Sequence, residues 1–124
     1  MEQRVAKILV VDDEAPIRIT LRELLRRHGY EVTLAASGQE AIACIDREGF
    51  DLLLLDLKLP GISGLEVATY AQGRGSTAPV IILTGTDMRD DGSDPAPLPG
   101  IDFLLKTTSP REVLAHITAA TGRA

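Results

Sequence analysis

The chain has 124 residues, 44% of them hydrophobic, and its 18 acids outnumber 13 bases for a net charge of −5. One domain of ordinary size with its own core fits that length, while the acidic balance argues against nucleic acid or an anionic membrane as a direct partner. No stretch approaches the roughly 20 apolar residues of a membrane span, the N-terminal apolar run is too short for a signal peptide, and a lone cysteine, Cys44, excludes a disulfide framework or thiol cluster and suits a reducing cytoplasm.

Short apolar runs alternate with segments of helical spacing. The first run, Ile8–Val11, leads into a helix in which Ile17, Leu21, Leu24 and Leu25 form a stripe and Arg18, Arg22, Glu23, Arg26 and Arg27 face water. Pro16 suits its first turn and Gly29 its end. Val32–Ala35 follows, then a helix from Ser37 to Glu48 that buries Ala41, Ile42 and Ile45, with Cys44 as small packing. The third run, Leu52–Leu55, is four leucines with no polar alternation, which reads as a strand covered on both faces. A helix starting near Gly64 carries Leu65, Val67 and Ala68, and Val80–Leu83 is the fourth run. Phe103–Leu105 is the fifth, before Ser109-Pro110-Arg111-Glu112, a capping box that opens the last helix with Val113, Leu114 and Ile117 inward. Near-continuous hydrophobic strands alternating with helices predict an α/β fold: a doubly wound, five-stranded parallel sheet of order 2-1-3-4-5, its site at the carboxyl ends of the strands. No repeat or linker interrupts it, so residues 1–124 read as one domain.

The strand ends carry the chemistry. The first strand ends on Asp12 and Asp13 with Glu14 behind them, and the third ends on Asp56 before Pro60 and Gly61 break the chain. A core strand has no reason to end on an unpaired acid, because burying a lone charge is costly. In the order 2-1-3-4-5, strands 1 and 3 are neighbours and their acids converge. Such carboxylates are compatible when a divalent cation joins them, and Mg²⁺, which takes one or two carboxylates, several waters and a phosphate oxygen, is apt. The fourth strand ends on the hydroxyl of Thr84 with Gly85 after it, and the fifth on Lys106, whose ammonium pairs with a carboxylate or a phosphoryl group. Together these groups would bind Mg²⁺ and stabilise a phosphoryl group on one carboxylate.

With ILVVDDE, LLLLDLKLPGISGLE, PVIILTG and FLLK in this order and spacing, the chain resembles the receiver domains of two-component response regulators. The resemblance covers nearly the whole chain. It implies that Asp56 accepts a phosphoryl group from a sensor histidine kinase or phosphotransfer protein in a Mg²⁺-dependent reaction. It implies Asp13 and Asp56 as direct Mg²⁺ ligands, the backbone carbonyl of Lys58 as a third, and Asp12 acting through water. Thr84 and Phe103 become switch residues and Lys106 the cation that meets the phosphoryl group. Such a domain is a cytoplasmic phosphoacceptor switch rather than an enzyme acting on other substrates, catalysing only its own phosphorylation and dephosphorylation. The resemblance also allows a homodimer that forms on phosphorylation.

Rival chemistries fail on particular residues. A haloacid-dehalogenase-type phosphatase needs a second acid two residues after the first, where this chain has Lys58. A flavodoxin would want a tryptophan against its flavin, and there is none. No G-x-G-x-x-G or G-K-[ST] loop serves a nucleotide. His28 and His116 lie in helical segments without a kinase-like acid beside them. The runner-up is a pseudo-receiver, the same fold used only to bind partners. Two departures from the family stand out. Thr107 follows Lys106 where receivers usually have proline in a cis peptide, and a non-proline cis bond costs about 2.5–4 kcal/mol, so a trans bond is expected. In residues 87–100, Pro95, Pro97, Pro99 and Gly92 degrade the fourth helix, leaving at most a turn around Asp87–Asp91 and irregular chain beyond.

Overall fold

A computed structural model describes residues 5–85 and 100–122. The elements are β1 (Lys7–Val11), α1 (Ala15–Arg27), β2 (Glu31–Ala35), α2 (Gly38–Arg47), β3 (Leu52–Asp56), α3 (Gly64–Gly73), β4 (Val80–Thr84), β5 (Ile101–Leu105) and α4 (Pro110–Thr121). All strand pairs are parallel and the order is β2-β1-β3-β4-β5, as expected. The degraded fourth helix expected within residues 87–100 falls, Gly100 apart, outside the described residues. No helix among the described residues is long and apolar enough to cross a membrane.

The four leucines of β3 explain the layering. Side chains alternate across a strand, so Leu53 and Leu55 enter a core with Ala41 and Cys44 of α2 and Val67, Ala68 and Ala71 of α3. Leu52 and Leu54 enter the opposite core with Leu21 and Leu25 of α1 and Val113 and Ile117 of α4. The two layers close over the central strands, where β3 and β4 are buried at every residue. Each leucine so buried contributes about 1.5–3 kcal/mol.

The observed β5 begins two residues earlier than its apolar run suggests, at Ile101. Among the described residues it is an edge strand, paired only to β4, so Asp102 is exposed and interrupts the hydrophobic signal without ending the ladder. Helix starts are governed by serine: Ser37, Ser63 and Ser109 accept from the N–H groups of Glu40, Glu66 and Glu112. Helix α1 starts differently, at Glu14, whose side chain makes no capping bond.

Candidate phosphoacceptor site

The register brings the strand ends together. Val11 pairs with Leu55, so Asp12 and Asp13 emerge beside Asp56; Asp56 pairs with Leu83, and Thr84 with Leu105, which places Lys106 on the same edge. Asp12, Asp56 and Thr84 are the buried polar residues among those described. Asp13 is exposed at the rim.

Lys106 ties the edge together. Its ammonium donates to Oδ2 of Asp56 at 2.8 Å and to Oε2 of Glu14 at 3.3 Å, and lies 3.4 Å from Oδ2 of Asp12. It thus bridges β1, β3 and β5, spanning β4. Burial alone would lower the lysine's affinity for its proton, but the Asp56 hydrogen bond and the charges of Asp12 and Asp56, with Glu14 behind, hold it above the ordinary lysine range. Asp12 is raised above the usual carboxylate range, first by burial; the Glu14 N–H and Lys106 pull it down and the like charge of Asp56 adds to the rise. The site holds more carboxylate than one lysine balances.

Backbone bonds fix the carriers. The N–H of Glu14 donates to Oδ1 of Asp12 at 2.9 Å, and Arg18 Nη1 donates to the Asp12 carbonyl at 2.6 Å. The N–H of Lys58 donates to Oδ1 of Asp56 at 3.2 Å, and that of Leu57 to the Leu83 carbonyl at 2.8 Å. The N–H of Lys106 donates to the Thr84 carbonyl at 2.7 Å. The Lys106–Thr107 peptide is trans, as expected. Lys58 itself is exposed, and Phe103 is half-buried on β5, against the core layer of α2 and α3.

The donor set suits a hard cation. One carboxylate oxygen from each of Asp12, Asp13 and Asp56 falls within a mutual 4.8 Å, and the buried Oδ2 of Asp12 makes no hydrogen bond. Oxygen-only donors with surplus negative charge match Mg²⁺ and not a thiol- or imidazole-seeking metal. Two features escape a sequence reading. Glu14 joins Lys106 across 92 positions, and Arg18, spaced like any solvated helix residue, holds the strand end. Glu14 carries a weak signal, as a third acid beside two others.

A family model of the response regulator receiver domain matches residues 8–118. The sensory transduction protein RegX3 of Mycobacterium tuberculosis is 40% identical over 116 residues, 94% of this chain and 51% of its own length. The transcriptional regulatory protein ResD of Bacillus subtilis is 41% identical over 118 residues, 95% of this chain and 49% of its own. The chain therefore spans about half the length of these relatives. Among solved structures, the response regulator TrrA of Thermotoga maritima, in complex with Mg²⁺-BeF, superposes with TM-score 0.76 at 33% identity, covering 94% of this chain and 99% of its own. The receiver domain of the hybrid histidine kinase CckA gives TM-score 0.79 at 31% identity with the same coverage.

Proposed function

The chain belongs to the response regulator receiver domains, and from that premise we propose that Asp56 is its phosphoacceptor, charged from a phosphohistidine of a sensor kinase or phosphotransfer protein. The observation that carries this is the 2.8 Å contact of Lys106 with Asp56 at an edge where Asp12, Asp13 and Thr84 also gather. An Asp56 carboxylate oxygen attacks phosphorus in line, the P–N bond breaks, and its electron pair returns to the histidine ring. Lys106 then shifts from the carboxylate to the transferred phosphoryl oxygens, and the Thr84 hydroxyl donates to another. Phe103, on the strand that leads into Lys106, passes the change to the neighbouring surface. Asp13, Asp56 and the Lys58 carbonyl would hold Mg²⁺, with Asp12 acting through water. When bound, the ion neutralises the clustered acids and the charge on the transferring group. The response regulator TrrA, of the same fold and solved in complex with Mg²⁺-BeF, supports the presence of a Mg²⁺ site. The domain, residues 1–124, would work in the cytoplasm, hydrolyse its own acyl phosphate, and self-associate when phosphorylated.

With a small phosphodonor such as acetyl phosphate, the protein is expected to take up one phosphoryl group in Mg²⁺ and none in EDTA, and hydroxylamine should release it as inorganic phosphate, leaving a hydroxamate on the aspartate, as for an acyl phosphate. Absence of labelling under saturating donor would leave a receiver fold that only binds partners.

Lys58 is expected to set how long that phosphoryl group lasts. Its side chain is exposed, two residues past Asp56, and in this reading it overhangs the mouth of the site. Its charge, in high dielectric, contributes little to the barrier, so steric shielding of the acyl phosphate dominates. Lys58→Ala should shorten the phosphoryl half-life by less than about tenfold, roughly 1.4 kcal/mol, and leave Mg²⁺ affinity alone because the backbone carbonyl stays. A longer half-life in autodephosphorylation assays would refute the shielding.

A further inference from the structure

Gly38, the first residue of α2, is buried. A Cβ placed on it would lie 2.7 Å from the carbonyl oxygen of Ile62 and 2.9 Å from the Ile62 Cβ. Neither atom is the end of a flexible side chain that could swing aside. Ile62 lies in the loop between β3 and α3, the loop that also carries Lys58. The near end of that loop is fixed: Leu57 donates to the Leu83 carbonyl and accepts from the N–H of Gly64 at 2.9 Å. Residues 58–61 therefore arch between a start pinned to β4 and a far shoulder resting on the N-terminus of α2.

We propose that Gly38 is a positioning residue for the phosphoacceptor site. Its missing side chain sets how closely Ile62 seats on α2, and so the height at which the arch holds the Lys58 carbonyl beside Asp56. The proposal rests on the reading of that carbonyl as a Mg²⁺ ligand. Mg²⁺ demands near-ideal octahedral geometry at about 2.0–2.1 Å, so a displacement of a few tenths of an ångström in one ligand is felt as affinity. A glycine needed only for packing would affect stability alone.

The experiment is a calorimetric Mg²⁺ titration of the folded chain, paired with melting and backbone amide spectra recorded in EDTA. Gly38→Ala is expected to weaken Mg²⁺ binding about tenfold, the lower end for residues that orient ligands from behind, and to shift the amides of Lys58, Leu59 and Gly61 before metal is added. Ile62→Ala keeps both atoms that rest on Gly38, so it should lower the melting temperature and leave Mg²⁺ affinity unchanged. Wild-type affinity and unmoved amides in Gly38→Ala overturn the proposal. Should Gly38→Ala not fold, Ile62→Gly replaces it, because it removes the Cβ that Ile62→Ala retains. Weaker Mg²⁺ binding in the glycine variant supports the seat, and equal binding overturns it. Failure of the wild type to bind Mg²⁺ refutes the ion assignment instead, and the amide shifts of Gly38→Ala alone then decide whether Gly38 positions the loop.

Discussion

Asp56→Asn is expected to abolish covalent labelling by acetyl phosphate while the variant remains folded. The Lys58 N–H and the Lys106 ammonium reach different oxygens of Asp56, at 3.2 and 2.8 Å; the amide oxygen keeps an acceptor for one of them, and the amide NH2 faces the other donor. What disappears is the anionic nucleophile, and an amide does not replace it. Loss of this charge also relieves Asp12, whose carboxyl is raised in part by Asp56. Lys106 retains Asp12 and Glu14 as counter-charges. These opposing changes should leave stability within about 1 kcal/mol of the wild type, the scale of one hydrogen bond. Radiolabelling and a melting curve on the same preparation check both halves. Stoichiometric labelling of the asparagine variant would mean that the phosphoacceptor lies elsewhere.

Gly64→Ala is expected to be costly for a single methyl. Gly64 opens α3, and a Cβ there would be driven into the carbonyl oxygen of Asp56, with the Asp56 carbonyl carbon at 3.0 Å and the Leu57 Cα at 3.2 Å. All three are main-chain atoms, and the Leu57 N–H is already bonded to β4. Relief requires α3 to lift away from the end of β3, which strips packing from Val67, Ala68 and Ala71. Overpacking of this kind costs about 3 kcal/mol, a fall in melting temperature on the order of 10 °C for a domain of this size. Thermal denaturation by circular dichroism measures it. A melting point within a couple of degrees of wild type would show that the β3–α3 turn yields far more easily than its hydrogen bonds imply.

The same turn marks where sequence reading succeeds and stops. Leu52–Leu55 announces a strand buried on both faces because no polar residue alternates with the leucines, and Asp56 is conspicuous because an acid ends it. Strand order follows from the fold class, so the company of Asp12, Asp13, Thr84 and Lys106 was legible too. Ile101 and Asp102 were not, because at a sheet edge one face need not be apolar. The pairing of Glu14 with Lys106, beyond the weak hint of a third acid, and the seat of Ile62 on Gly38 were not legible either. Each joins residues distant in sequence through shape or charge, without a periodic pattern to betray it.

Helix α1 is the one among the four described helices whose first residue lacks a serine cap. Its leading position is held by Glu14, whose carboxylate is turned to Lys106 and whose N–H is satisfied by Asp12. An engineer seeking thermostability would be drawn to this end, since a good N-cap commonly adds about 1 kcal/mol. Serine at position 14 would unhook one of the lysine's three anchors, and any repair at Asp12 would remove both the donor's partner and a site acid. Consensus-style stabilisation of this scaffold should therefore begin at the far ends of the helices, because the start of α1 cannot be tuned for rigidity independently of the chemistry it borders.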